Sequence, residues 1–556
     1  MNVRLLLSLS ALGAPLLVAT SGWAKDYYVA PAPAGNDANA GSEDAPFASM
    51  AKAQSVAMAG DVFYFKGGTY AYTEGTTTCS SGTATISGVV LNKSGSAGNP
   101  IRYWAAPGEK PVFDFDGIRD SCRIKGILVS GNYIHLKGLE IKGVRQNNNL
   151  NHESWGVWNQ GSNNIFEALD VHHIMGAGIF IQRGSNNLVL NCDSHDNFDE
   201  LTSNGAGESA DGFGCHVGAR ETGNVFRGCR AWWNADDGYD FINSGAACLV
   251  ENSWAWYNGY KPGTQTGIGN GNGFKGGGYG ADPAKFPAEP AAHTVQNCLA
   301  AFNRAAGFYA NHHPSTLYFY NNTSYGNRPD FNMLGMDSNG KDITVGVYRN
   351  NLAFGGTLFS NRNDADDANN SWTAGGVTVS NADFQNPSEM GLEAPRQADG
   401  SLPVLTNFRL APDSDAIDKG VDVGLPYAGS APDLGCFEAG LVETAGASGA
   451  GGAGGAGAGS GGTADTGSGG ASASEGATSG GATSGDATSG GTTSVGGGGT
   501  SGTGGGGTSP SSADDSAGCA CSMPGGHRPG AASLALLNLV LWTLRMRRKR
   551  RASASA

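Results

Sequence analysis

The hydrophobic residues of the central part of the chain fall in short runs, separated by Gly and Asn. Examples after residue 165 are LVL at 188–190, NVF at 224–226, CLV at 248–250 and LYF at 317–319. None of these runs continues into the 3.6-residue periodicity that an amphipathic helix requires. The pattern therefore predicts many short β-strands joined by tight turns.

A heptapeptide with a terminal Asn recurs along this region. It occurs as NCDSHDN at 191–197, GCRAWWN at 228–234, NSWAWYN at 252–258, NCLAAFN at 297–303 and NNTSYGN at 321–327. The starts of successive copies are separated by 37, 24, 45 and 24 residues, which indicates a period of about 24 with two insertions. Such a unit cannot bury its apolar face alone, but stacked units can.

The period selects the kind of stack. Propeller blades need about 40 residues or more, and leucine-rich repeats need a Leu-x-x-Leu pattern that the chain lacks. A period near 24 suits one coil of a parallel β-helix, in which each strand pairs with the coils before and after it. We therefore expect an all-β fold, a right-handed parallel β-helix, in which the recurring Asn residues stack as an internal ladder.

Composition divides the chain into four parts. Residues 1–24 combine Arg4, an apolar run and small residues ending at Ala24, which is typical of a secretory signal peptide; a membrane anchor is the weaker alternative. Residues 25–440 carry the repeat and form the predicted β-helix domain. Residues 441–517 are rich in Gly, Ala, Ser and Thr, and they cannot bury a core, so we interpret them as a flexible linker.

Residues 518–556 hold a Cys pair, a short apolar run and a terminal cluster of Arg and Lys. The apolar run is too short for an ordinary membrane-spanning helix. This arrangement resembles the C-terminal sorting tails of myxobacterial surface proteins. The resemblance implies a secreted protein that stays at the cell surface or outer membrane. The alternative is a weak C-terminal anchor held inside by its positive charges.

The net charge limits which ligands the protein can bind, and the cysteine content raises the question of disulfides. The net charge of −14 predicts that the chain repels nucleic acid, and any bound polyanion needs a local source of positive charge. The predicted domain has cysteines at 79, 122, 192, 215, 229, 248, 298 and 436. Export permits disulfides, but these residues can equally be small buried apolar groups. We expect a monomer.

Stacking the repeats aligns side chains into columns that run from coil to coil. Asp211 aligns with Asp237, and Gly214, Asp240, Lys275 and Tyr309 form an outward column if the intervening aromatic residues point inward. Since neighbouring coils lie about 4.8 Å apart, Asp211, Asp236, Asp237 and Asp240 converge on one patch, with Lys275 one step beyond. Clustered carboxylates need a counter-charge, and calcium takes six to eight oxygen ligands. The alternative is a solvated Asp-Gly turn.

Three motifs carry a family resemblance: ADGF at 210–213, NADDGYD at 234–240 and GNGFK at 271–275. In this order on an Asn-repeat β-helix, they closely resemble polysaccharide lyase family 9, over about residues 26–440. The resemblance implies a pectate lyase that cleaves polygalacturonate by β-elimination. It also implies that Asp211, Asp236, Asp237 and Asp240 are calcium ligands and that Lys275 is the catalytic base.

The chain departs from the family pattern at His216, where a lysine is common, and from Tyr309 to His313. Those positions bear on substrate preference, and His216, Tyr309, Arg220 and Arg304 are candidate substrate-binding residues. Aromatic residues that could stack on sugars, although strand alternation must bury some of them, are Trp232, Trp233, Trp254, Trp256 and Tyr257.

Two alternatives to a lyase stay open. A β-helix polygalacturonase would hydrolyse the same acidic polysaccharide with paired carboxylates and water, without needing Lys275. A non-catalytic surface adhesin would bind pectin through calcium without cleaving it. Product analysis on polygalacturonate, with and without a chelator, separates the three.

Overall fold

Short strands with inward apolar side chains wind into a parallel β-helix, as the repeat predicts. The computed structural model describes residues 24–79, 84–147, 154–202, 205–356, 359–360 and 366–441. The predicted linker and sorting tail lie outside the described residues, apart from Leu441, and so does the predicted signal peptide up to residue 23. The described residues contain no helix with the length and apolar character needed to cross a membrane.

Each coil passes through three parallel sheets in turn, named here A, B and C, and consecutive coils supply neighbouring strands. The strands of sheet A are Asp26–Val29, Val62–Phe65, Ile101–Ala105, Ile134–Lys137, Ile165–Glu167, Leu188–Leu190, Asn224–Arg227, Cys248–Glu251, Thr294–Gln296, Tyr318–Tyr320 and Val347–Arg349. Those of sheet B are Gly68–Ala71, Pro111–Asp114, Glu140–Lys142, Asp170–His172, Asp193–His195, Arg230–Trp232, Trp254–Trp256, Leu299–Ala301, Thr323–Tyr325 and Leu352–Phe354. Those of sheet C are Thr85–Leu91, Arg123–Val129, Ser154–Asn159, Gly176–Ile181, Phe213–Cys215, Tyr239–Asp240, Phe274–Lys275, Phe308–Tyr309, Phe331–Asn332 and Phe359–Ser360.

Few elements lie outside this coil. Strands Leu334–Met336 and Asp342–Thr344 form an antiparallel pair, and 3₁₀ turns occur at Pro283–Lys285 and Asn381–Asp383. The α-helix Met50–Val56 begins where the Ser49 side chain accepts a hydrogen bond from the Lys52 backbone N–H at 3.0 Å. Met50 and Ala53 on its buried side join the core, so the helix covers apolar residues of the first coils.

The core is built from columns of stacked side chains. In sheet C, one aromatic residue from each of five coils stacks on the next, with ring centroids 4.6–5.0 Å apart: Phe213, Tyr239, Phe274, Phe308 and Phe331. All five are buried. Because side chains alternate along a strand, the residue after each ring faces outward.

The last Asn of each heptapeptide forms the predicted internal ladder. Each side-chain amide donates to the next coil's carboxamide oxygen at 2.8–3.0 Å, through Asn197, Asn234, Asn258, Asn303 and Asn327. The first Asn has another role, because Asn191, Asn252, Asn297 and Asn321 adopt a left-handed backbone with φ of 49–54° at a turn. A second ladder, which the heptapeptide does not reveal, joins Asn322, Asn351 and Asn370.

The C-terminal part of the domain packs against the outside of sheet B. Its Phe384 and Phe408 share a buried cluster with Trp254, Trp256 and Tyr325. The Trp residues of sheet B are therefore among the candidate sugar-stacking rings that are buried, because this segment covers them. Arg396 fastens the segment through a 2.6 Å ion pair with Asp193.

The cysteines divide between the two readings that the sequence left open. Disulfides join Cys79 to Cys122 and Cys215 to Cys248. Cys192, Cys229 and Cys298 are buried thiols.

Asn258→Ala should destabilise the fold strongly. Asn258 is buried, and its side chain makes hydrogen bonds to both Asn234 and Asn303, so the change leaves buried polar groups unpaired at a cost of at least about 2 kcal/mol. Thermal and urea unfolding measure this loss. The exposed Asn99→Ala is the matched control and should stay within about 0.5 kcal/mol of wild type. An equal effect of both changes would mean that the ladder adds no stability.

Candidate active site

Lys275 projects from the outer face of sheet C because it follows the buried ring of Phe274. The strand register places Gly214, Asp240, Lys275 and Tyr309 opposite one another on consecutive coils. This is the outward column that the sequence predicts. Lys275 nevertheless has only 8% of its surface exposed, because neighbouring side chains surround it.

Backbone hydrogen bonds between coils bring the aspartates together. The Asp237 backbone N–H donates to Asp211 Oδ1 at 3.2 Å, which links two adjacent coils. The next coil supports the pair, because the backbone N–H and the side-chain amide of Asn272 donate to Asp237 Oδ1 at 2.7 and 2.8 Å. One carboxylate oxygen from each of Asp211, Asp236 and Asp237 lies within 4.8 Å of the others.

Asp240 is linked to these three through Lys275. The Lys275 ammonium lies 3.0 Å from Asp240 Oδ2 and 3.1 Å from Asp237 Oδ2. The other oxygen of Asp240 accepts the Ile242 backbone N–H at 2.7 Å. Lys275 therefore joins Asp240 to the group formed by Asp211, Asp236 and Asp237, and the five residues form one cluster.

Burial and mutual repulsion perturb these groups. Burial raises the pKa of Asp211, and the neighbouring Asp236 and Asp240 raise it further. Burial and Asp237 likewise raise the pKa of Asp236. Burial by itself lowers the pKa of Lys275, but Asp240 and Asp237 outweigh it and hold that pKa well above its ordinary value. The side chains alone therefore keep Lys275 charged.

The cluster fits a hard divalent cation. It sets four buried aspartates against a single lysine, so negative charge is in excess where water is scarce. Carboxylate oxygens are the donors that calcium and magnesium prefer. A second group with suitable spacing, Glu140, Asp170 and His172, lies on the outer face of sheet B. There, His195 lies 3.0 Å from Asp170, and hydrogen bonds to Asp170 and Asp196 outweigh burial and raise the pKa of His195 to about 9, which offsets carboxylate charge. His172 lies 3.3 Å from Glu140, but burial lowers its pKa.

The sequence does not predict two residues near the cluster, Glu208 and Asn270, because they lie on inserted loops outside the repeat. Burial, then Asp237, raises the pKa of Glu208, so this carboxylate lies within electrostatic reach of the cluster. The Asn270 backbone N–H donates to Asp236 Oδ1 at 2.7 Å, and its side chain reaches Glu208 at 3.3 Å. The proximity of Glu208 to Asp211 in sequence is the one available signal.

The candidate substrate-binding residues have different surroundings. The imidazole of His216 packs edge-on to Phe180, with centroids 4.6 Å apart, and burial lowers its pKa. Tyr309 lies one coil beyond Lys275, and its hydroxyl is 3.2 Å from His312 Nδ1. Arg304 donates to the Gly269 carbonyl at 2.5 Å and so holds an inserted loop. Arg220 is exposed on the turn that follows the sheet C strand. Their roles stay predictions.

Residues 27–381 match the family model described as the Pel9A-like right-handed β-helix region. The chain belongs to this family. The match confirms the predicted handedness and the membership of polysaccharide lyase family 9 that the three motifs indicate. The assigned roles of the aspartates and of Lys275 remain predictions.

Three proteins similar to this chain match it over most of their own length. A pectate lyase L of Dickeya chrysanthemi is 35% identical over 420 residues, which is 74% of this chain and 90% of the relative. A solved rhamnogalacturonan lyase is 35% identical with a TM-score of 0.65, covering 70% of this chain and 97% of its own. The solved pectate lyase Pel9A is 34% identical with a TM-score of 0.61, covering 74% and 96%.

Asp237→Asn should weaken calcium binding by more than about tenfold, because it removes a charged ligand and keeps an acceptor for Asn272. Calorimetric titration with calcium measures the affinity, and thermal unfolding should show a much smaller change. The exposed Asp413→Asn is the control and should bind like wild type. Unchanged affinity in Asp237→Asn would remove this residue from the ligand set.

Proposed function

We propose that the protein is a calcium-dependent pectate lyase that cleaves polygalacturonate by β-elimination and releases unsaturated oligogalacturonides. The observation that carries the proposal is the contact of Lys275 with Asp237 and Asp240, within a buried carboxylate cluster on the outer face of a family 9 β-helix. Pectate lyases among the relatives support the same reaction.

The reaction removes the C5 proton beside the uronate carboxylate, forms the double bond between C4 and C5, and breaks the bond between C4 and the glycosidic oxygen, which leaves as a hydroxyl after taking a proton from water. Asp211, Asp236, Asp237 and Asp240 would hold the calcium, which would neutralise the uronate carboxylate and stabilise charge that develops on it. Lys275 is the base in this proposal: calcium held by these carboxylates would add positive charge beside it and favour its neutral form, which can accept the C5 proton. Its position on the rigid strand Phe274–Lys275, behind which the rings stack, fixes the direction from which it approaches the sugar.

A hydrolase is the weaker alternative for this site. A glycoside hydrolase needs an acid and a base on opposite sides of the scissile bond, with space for substrate between them. Here the oxygens of Asp211, Asp236 and Asp237 crowd within 4.8 Å, and Lys275 lies 3.1 Å from Asp237 Oδ2. Ultraviolet absorbance separates the two reactions, because a lyase releases an unsaturated uronide that absorbs and hydrolysis produces no unsaturated product.

The identity of the polymer is a separate question, because one matching structure is a rhamnogalacturonan lyase. Both polymers contain galacturonate, so the same base and metal chemistry serves either one. We favour polygalacturonate on the named pectate lyases. Parallel assays on polygalacturonate and on rhamnogalacturonan decide the matter, and unsaturated products from rhamnogalacturonan alone would overturn this choice.

Lys275→Arg should retain pectate binding and lose nearly all turnover. Arginine keeps the positive charge, but it stays protonated at accessible pH and cannot accept the C5 proton. Binding is measured by calorimetry and turnover by the absorbance of unsaturated product. Substantial turnover at alkaline pH would mean that the base lies elsewhere and that Lys275 only binds the substrate carboxylate.

We further propose that the enzyme is exported and retained at the cell surface by residues 518–556. A chain that ends at Gly440 should then fold, cleave pectate at the wild-type rate and be lost from the cell surface, because the linker has too few apolar residues to contribute to a core. Thermal unfolding, turnover and cell fractionation test the three parts. Unfolding of the shortened chain would show that the domain boundary is misplaced. Binding without cleavage by the full chain would favour the adhesin.

A further inference from the structure

A cavity of about 320 Å³ lies beside the turns between sheets B and C, away from Lys275. Its wall includes the apolar residues Met175 and Phe198 and the cations Arg145 and Lys261. The volume is in the range of small-molecule pockets, and neither the carboxylate cluster nor the proposed reaction uses it.

Hydrogen bonds between coils fix the position of this cavity along the axis. The Phe198 backbone N–H donates to Ile174 O, Ala235 N–H to Asn197 O and Gly259 N–H to Asn234 O. Phe198 therefore lies two coils before Gly259, whose coil carries Lys275. At about 4.8 Å per coil, the separation along the axis is about 10 Å, so a sugar in the cavity would be a few units from the scissile bond.

The two inserted loops connect the cavity with the carboxylate cluster. The first runs from Phe198 in the cavity wall to Asp211, and the second runs from Lys261 to Asn270, which donates to Asp236. The loops meet over Ala235, where a side-chain carbon on Gly269 would lie 2.1 Å from Ala235 O and 2.2 Å from Gly207 O. A polysaccharide that spans the cavity and the carboxylate cluster would therefore contact both loops.

The wall of the cavity carries three carboxylates, Asp116, Asp196 and Glu200, and two cations, Arg145 and Lys261, so an anion would have to be bound by an individual cation and not by the overall charge of the cavity. Asp116 is paired with Arg145 at 2.5 Å and with Arg119 at 3.2 Å, so this trio has a net positive charge. Asp196 is paired with His195 at 2.7 Å. The ammonium of Lys261 is exposed and lies 5.6 Å from the centre of the Phe198 ring, where it can turn toward a ligand.

We propose that this cavity is a distal subsite, which binds a uronate carboxylate through Lys261 and packs the sugar ring against Phe198. The inference rests on the proposed function for the identity of the polymer. It adds that the protein binds long acidic chains more tightly than short ones.

Defined oligogalacturonides test the subsite. Lys261→Met keeps the apolar stem on Phe198 and removes the charge. We expect the KM and the Kd for hexagalacturonate to rise roughly three- to fivefold, with kcat unchanged, and those for trigalacturonate to stay as in wild type. The rise should shrink in high salt. Lys261→Arg should restore binding, and the exposed Lys110→Met should resemble wild type.

The outcomes separate this subsite from the proposed function. Unchanged hexagalacturonate binding in Lys261→Met overturns the subsite, and so does an equal loss for both oligomers, which would reflect only the general field of the lysine. Absence of unsaturated product from the wild type overturns the proposed function instead. Calorimetric binding of the two oligomers then still decides whether the cavity discriminates by length.

Discussion

The register of the coils is the constraint on which the rest of this protein depends. Each strand lies directly opposite its equivalent in the next coil, so a residue's place in the repeat determines its neighbours in space. The Asn ladder holds that register inside the turn between sheets B and C, where every amide both donates and accepts. A slip by one residue would turn the Phe274 ring outward and Lys275 into the core.

This rigidity lets the fold hold charges that repel one another. Asp211, Asp236 and Asp237 have raised pKa values, so their ionised forms are unfavourable when they stand alone. Hydrogen bonds from Asn270 and Asn272 keep the carboxylates in place. A site assembled in this way is ready for a cation before the cation arrives, which reduces the reorganisation that binding would require.

The repeat predicts the parts of the molecule that obey it. The β-helix, the ladder through Asn258 and the outward column of Lys275 all follow from the spacing of the heptapeptides and from strand alternation. The covering of Trp254 and Trp256 does not, because it depends on Phe384 and Phe408, which lie far away in sequence and outside the repeat. Glu208 and the cavity escape prediction for a related reason, since loop residues have no column to place them.

The candidate active site lies beside the residues that are inserted at the two irregular spacings of the repeat. Asn234 and Asp237 are three residues apart, whereas Asn197 and Asp211 are fourteen apart, and so are Asn258 and Asn272. The extra residues enter at the same corner of the coils directly before and after the coil of Asp237, so both loops rise beside the carboxylates. One supplies Glu208 and the other Asn270, while regular coils beneath them preserve the register. Because a coil can lengthen at a turn without disturbing its strands, the β-helix can add binding groups there and keep Lys275 fixed.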